Sequence, residues 1–251
     1  MQRWAKPLNS LYIFIFMLYI IGLGLELKGI SLHGKKILKS ADIKKIYLEN
    51  YTIELPYTKK ELEKELKIKI KEANREFVES EAIIEEAKNY DVALLVYGAP
   101  LSATTHISLI NSAVKNKVKY KILYSGSIFD AVAETGLSLY KFGKIASLPR
   151  WQKNFTPTSF IDIIKDNQKI NAHTLLLIDI GLKFEDAVKQ LDEIGYKFDK
   201  VIICTKLGIK SKIYYNFLDK INADKIKAPY CIIIHAELSF SEKEALELIA
   251  E

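Results

Sequence analysis

The chain has 251 residues, a formal charge of +6, 49% hydrophobic and 27% charged residues. That balance suits one large or two small globular domains and excludes a disordered chain. Apart from Arg3, Arg75 and Arg150 the cations are all lysines, which argues against a nucleic-acid binder, since such proteins rely on arginine forks, while the basic surplus suits an acidic macromolecular partner.

The first feature is an uncharged run from Leu11 to Leu25 that ends in "MLYIIGLGL". It falls short of the roughly 20 residues that span a bilayer. Glu26, Leu27 and Lys28 follow it, where a signal peptide would need small residues for cleavage. Its β-branched and aromatic content favours a buried strand. Met17 stands where such a strand would begin, so residues 1–16 are expected to be an extension outside the fold, and the protein to be cytoplasmic with no membrane partner.

Beyond Gly24, 32–42 has helical spacing and 44–51 reads as a strand. Thr58 can cap a charged helix through Leu66, and "LKIKIKE" (66–72) alternates as a half-buried strand should. Asn74 is expected to open a helix through Lys88. "DVALLVYGAP" (91–100) is an apolar strand followed by a turn, as expected of a parallel strand covered on both faces. A helix over 104–116, a strand over 119–125 and a helix over 127–139 complete a β-α-β pattern, which predicts a doubly wound sheet.

The second half reads as strand (144–149), helix (158–169), strand (173–180), helix (184–195, closed by Gly195) and strand (199–206). A helix over 211–222, a strand over 229–236 and a last helix over 241–251 follow. The expected fold class is therefore α/β, with two α/β domains, 17–143 and 144–251, and a ligand cleft between them.

Cys204 and Cys231 lie in apolar runs and form no CxxC pair, so they read as small buried hydrophobes. His33, His106, His173 and His235 lack ligand spacing, so no zinc site is expected. The strand-GLG-helix start suggests a dinucleotide turn, but the third glycine that fingerprint needs is Leu27 here. Small residues also follow other strands, in "YGAPLSATTH" (97–106) and "YSGSIFDAVAETG" (124–136), and the strand "LLLIDI" (175–180) ends nearby. Open α/β sheets bind ligands at the carboxyl ends of their strands, so these ends predict a site built mainly from main-chain groups, with the glycines of GLGL leaving room for a ligand.

"GAPLSATTH", "TGLSLYKFGK", "TPTSFIDIIKDN" and "HTLLLIDI", with "MLYIIGLGL" ahead of them, resemble the archaeal diphthine synthase family of tetrapyrrole-methylase-like methyltransferases. The resemblance runs from Met17 to near the C-terminus and is densest over 97–180. It implies S-adenosylmethionine bound between two α/β domains, a homodimer, and methylation of the amino group of the modified histidine of translation elongation factor 2, a step of diphthamide synthesis. It also implies cofactor contacts at Leu25, Ser102, Ser127, Ile128, Ile178 and Leu207. Two further cofactor positions depart from the family pattern: Ala99 replaces the aspartate of Gly-Asp-Pro-Leu, and Cys231 replaces a histidine. The chain is also shorter than the family around 181–200. No catalytic residue is nominated, because methyl transfer from a sulfonium needs no acid at the leaving group. His106 and Tyr97, at the right strand end, read as hydrogen-bonded packing. Two alternatives stay open: a non-catalytic relative that has lost cofactor binding, and a nucleotide-binding oxidoreductase, against which the missing glycine counts.

Overall fold

A computed structural model describes residues 16–251; the expected extension at 1–16 falls, but for Phe16, outside the described residues. The fold is α/β, built on two five-stranded sheets. The first holds β1 (Met17–Gly22), β2 (Ile43–Glu49), β3 (Lys71–Ala73), β4 (Asp91–Val96) and β5 (Lys119–Leu123) in the order β3-β2-β4-β1-β5. Every pairing in it is parallel. Side chains alternate between its faces as strand geometry requires. Leu18, Ile20, Leu94 and Val96 enter one cluster with α4 (Ala82–Ala87) and α5 (Ile107–Lys115). Ile21, Leu48 and Leu95 enter the other, with α1 (Leu32–Leu38) and α2 (Lys59–Leu66). Helices on both faces leave the central strands no polar side, hence the near-continuous apolar runs.

The second sheet holds β6 (Ala146–Leu148), β7 (Thr174–Ile178), β8 (Val201–Thr205), β9 (Lys212–Asn216) and β10 (Tyr230–Ile234) in the order β6-β7-β10-β8-β9. Only β6 and β7 are parallel; β10 runs against both β7 and β8, and β9 against β8. One face packs on α7 (Ser159–Lys169) and α8 (Phe184–Glu193) through Phe160, Ile164, Ala187 and Leu191. The other face receives Leu246 of α9 (Phe240–Ile249) together with Val132 and Leu137. Residues 128–142, which lie before the expected boundary at Gly143, thus contribute to the second sheet's packing.

Local signals hold where they are strong. Thr58 makes a reciprocal capping box with Glu61 at the start of α2, and Ser239 does the same with Glu242 for α9. Four expectations need correction. The helix expected over 211–222 is instead strand β9, with Tyr214 opposite Ile203 and Ile213 opposite Cys204, and then a short 3-10 turn at Leu218–Lys220. Its apolar residues 213, 214, 217, 218 and 221 fit a helical period, but pairing with β8 outweighs that preference. Only the end of "LKIKIKE" is a strand. Lys67 closes α2 in the left-handed conformation (φ 57°), and Glu63 holds the loop by accepting from the Ile70 amide at 2.8 Å.

The helix expected over 74–88 breaks at Ser80, which is extended and whose hydroxyl caps the Ala82 amide at 3.2 Å. It therefore becomes α3 (Arg75–Glu79) and α4. The helix expected over 127–139 is only α6 (Ile128–Ala131) and a 3-10 turn closed by Gly136, φ +76°.

Candidate functional site

One cavity, about 620 Å³ in volume, opens at the carboxyl ends of strands from both sheets. It falls within the range of small-molecule and cofactor pockets. All eight positions expected at a cofactor site line it: Leu25, Ala99, Ser102, Ser127, Ile128, Ile178, Leu207 and Cys231. They come from six separate segments of the chain.

The wall on the first sheet's side is two turns clasped together. Leu23 donates its amide to the Val96 carbonyl at 2.8 Å, and Gly24 and Gly98 exchange amide–carbonyl bonds of 3.2 and 3.0 Å. Tyr97 donates its hydroxyl to the Leu25 carbonyl at 2.8 Å. Burial raises the Tyr97 phenol well above its ordinary range, so it remains a donor and fixes the turn that carries Leu25.

The expectation that the GLGL glycines leave room for a ligand needs correcting. Neither Gly22 nor Gly24 lines the cavity. A Cβ on Gly22 would stand 2.7 Å from the Gly98 carbonyl oxygen, and one on Gly24 2.9 Å from the Gly29 carbonyl oxygen. Their missing side chains admit neighbouring backbone. Gly98 is the glycine that faces the cavity: its φ is +73°, and a Cβ there would meet nothing nearer than 3.9 Å.

His106 clamps the same turn from behind. It is buried, with Nδ1 2.9 Å from the Pro100 carbonyl oxygen, and it does not line the cavity. Ser127 does, but its hydroxyl is engaged in capping α6, accepting from the Phe129 amide at 3.2 Å and donating to Asp130 at 3.0 Å.

The opposite wall is made of side chains. Leu177 and Ile178 end β7, while Cys204, Leu207 and Cys231 come from β8, its following turn and β10. Cys204 and Cys231 stand directly opposite each other across the antiparallel pair. Both are free and buried, and the neighbouring Cys231 thiol, with burial, holds the Cys204 thiol well above the usual thiol range. They act as small apolar residues, as their apolar runs suggest.

Three lining residues that sequence reasoning did not single out carry polar or charged groups of interest. Tyr51 follows β2, Arg75 opens α3, and Asp179 follows β7. Arg75 and Asp179 are the one cation and one anion among the lining residues. The rule that ligands meet strand carboxyl ends would have flagged Tyr51 and Asp179. The rarity of arginine in a lysine-rich chain was the available signal for Arg75. Among the described residues no group of three His, Cys, Asp or Glu side chains could hold a metal, and no helix is long and apolar enough to cross a membrane.

The chain joins a doubly wound first sheet to a mixed second sheet, with a cleft at their strand ends. The model of the tetrapyrrole (corrin/porphyrin) methylase family matches residues 17–221, and the chain belongs to that family. Within it, the chain is 37% identical over 255 residues to diphthine synthase of Methanococcus maripaludis strain C6, with 94% of this chain and 99% of the relative covered. It is 42% identical over 170 residues to diphthine methyl ester synthase of Schizosaccharomyces pombe. That match covers 66% of this chain and spans 59% of the yeast protein's length. A crystal structure of diphthine synthase superposes with a TM-score of 0.84 at 30% identity, covering 93% of this chain and 96% of that one.

Proposed function

We propose that this chain is an S-adenosylmethionine-dependent methyltransferase acting on the amino group of the modified histidine of elongation factor 2, as a diphthine synthase does. The observation that carries the reading is the convergence of eight nominated positions from six segments on one cavity. Its composition fits the cofactor: aliphatic surface from Leu25, Leu177, Ile178 and Leu207 for the adenosine, and bare backbone at Gly98, where a Cβ would meet nothing nearer than 3.9 Å. When bound, S-adenosylmethionine supplies a methyl group on a sulfonium, whose departure needs no proton. The protein's part is then to hold, orient and exclude water. Tyr97 fixes the Leu25 turn, and the aliphatic wall keeps the site dry. Orientation alone can supply ~7–11 kcal/mol of a bimolecular barrier, so a site poor in acids and bases is adequate. The amine need only be neutral and in line.

The same proposal takes the two sheets as two domains, divided near Gly143, in a cytoplasmic homodimer. Calorimetry with S-adenosylhomocysteine tests cofactor binding, and transfer of labelled methyl to elongation factor 2 tests the reaction. Label is expected only when the histidine already carries its aminocarboxypropyl group. No binding at millimolar cofactor would leave a non-catalytic relative. Base-labile label would indicate a methyl ester in place of an N-methyl product.

A further inference from the structure

Arg75 is the single cation among the described residues lining the cleft. It is the exposed first residue of α3, placed there by the Asn74 cap, whose side chain accepts from the Phe77 amide at 2.9 Å. Its guanidinium lies over the Tyr51 ring, 5.2 Å from the centroid. Among the described residues it makes no ion pair.

The acids around Tyr51 are committed elsewhere. Glu49, buried, accepts from the Tyr51 amide at 3.0 Å, the Thr52 amide at 2.7 Å and the Thr52 hydroxyl at 2.8 Å. Glu79 accepts from the Thr105 hydroxyl at 2.9 Å. The Tyr51 hydroxyl is buried with no hydrogen-bond partner among the described residues. An exposed guanidinium without an ion pair and a buried phenol without a hydrogen-bond partner are therefore carried by two residues that line the same cavity. Leaving the buried phenol unsatisfied is unfavourable, and a planar carboxylate is the acceptor that the guanidinium matches best.

We propose that Arg75, with the Tyr51 hydroxyl as second donor, binds the carboxylate of an α-amino-acid group on the methyl acceptor and thereby holds the adjacent amine for methylation. The inference rests on the methyltransferase reading above. The nucleophilic amine has to be neutral, so the carboxylate is the charge left for recognition. S-adenosylmethionine also carries a carboxylate, but Arg75 opens α3 and Tyr51 follows β2, segments that hold none of the eight positions matched to cofactor contacts. Tyr51 meets His106 edge-on at 6.4 Å, and α3 is tied to Thr105 through Glu79. None of the eight positions matched to cofactor contacts takes part in those contacts.

The test compares Arg75→Gln, Arg75→Lys and Tyr51→Phe with the unmutated protein in three measurements: KM for elongation factor 2 bearing the aminocarboxypropyl histidine, kcat, and the Kd of S-adenosylhomocysteine. Arg75→Gln should raise the acceptor KM by about tenfold or more, with the S-adenosylhomocysteine Kd unchanged. Lysine should restore part of the loss, and Tyr51→Phe should show a smaller rise of the same kind. An equal loss of S-adenosylhomocysteine affinity would assign Arg75 to the cofactor and overturn the proposal, as would an unchanged acceptor KM. Absence of cofactor binding and transfer in the unmutated protein would remove the methyltransferase reading, and this proposal with it. Arg75 is exposed at a helix start, so circular dichroism melting should show all three variants folded.

Discussion

On the first sheet's side the cleft is bounded by turns whose glycines and carbonyls are tied to each other, whereas on the second sheet's side it is bounded by aliphatic side chains standing on antiparallel strands. Gly24 and Gly98 bond to each other and leave a backbone surface, while Leu177, Ile178 and Leu207 present methyl groups. The difference sets how each wall responds to substitution. Changes in the clasped turns act on the fold before they act on any ligand. Changes at Leu177 and Leu207 act on ligand contact first, because the strands behind them are held from their other face by α7 and α8.

The harshest way to break the contrast is Gly24→Val. Valine there must adopt φ +71° and place its Cβ 2.9 Å from both the Gly29 carbonyl and the Ser125 hydroxyl oxygens. Backbone strain of ~1–3 kcal/mol adds to overpacking of ~1–3 kcal/mol. Thermal denaturation should show a large loss of stability, with cofactor binding lost as a consequence. A melting temperature equal to that of the parent protein would show that the clasp is not structural.

The second region has its own lock, away from the cleft. His173 is fully buried; its Nδ1 accepts from the Ala236 amide at 3.0 Å, so Nε2 carries the proton that reaches Glu242 at 3.0 Å. Glu242 also accepts from the Ser138 amide at 3.1 Å, the Ser239 amide at 2.8 Å and Lys141 at 3.1 Å. Burial alone would raise the Glu242 carboxyl, but these bonds bring it well below the usual carboxylate range. Glu242→Gln should cost roughly 1.5–3 kcal/mol, read by urea unfolding.

Acid should weaken the same lock. Burial lowers the His173 pKa from 6.5, so the unfolded chain takes up that proton first and stability begins to fall as pH drops through that value. Glu242, ordinarily at 4.5, is depressed in the fold, so its contribution is present above that pH and is lost progressively below it. Hydrogen exchange between pH 7 and 4 should therefore show α9 and β7 loosening before the first sheet. Simultaneous loosening of both regions would contradict it.

Two substitutions at the cleft sharpen the comparison further. Ala99→Asp restores the carboxylate that the family resemblance implies. A charge-assisted hydrogen bond is worth roughly 1.5–3 kcal/mol, so calorimetry should find cofactor binding about tenfold tighter or more. Weaker binding would mean the turn is shaped around alanine. Ile178→Val, on the half-buried end of β7, removes one methylene from the aliphatic wall. It should weaken cofactor binding by ~0.8 kcal/mol, about fourfold, with little change in melting temperature. A larger fall in stability than in affinity would place Ile178 with the core.

Much of the fold was legible in the sequence because its signals are local. A run such as 91–96, apolar on both faces, can be satisfied only in a covered parallel sheet. Thr58 and Ser239 announce their helices through bonds that span three residues. The eight cofactor positions came from motif resemblance; spacing alone makes Leu25, Ile178 and Leu207 core or turn residues. Tertiary structure decided what depends on distant partners. The apolar residues of 211–222 fit a helical period, and only pairing with β8 makes Lys212–Asn216 a strand. Gly24 serves Gly29 and Ser125, neither of which its own motif contains. Arg75 and Asp179 lie 104 positions apart in sequence, yet line one cavity. Local periodicity and capping act over a few bonds and are written in neighbouring residues. Which face meets which strand end is fixed only when the whole core closes, since burial rewards any partner of the right shape.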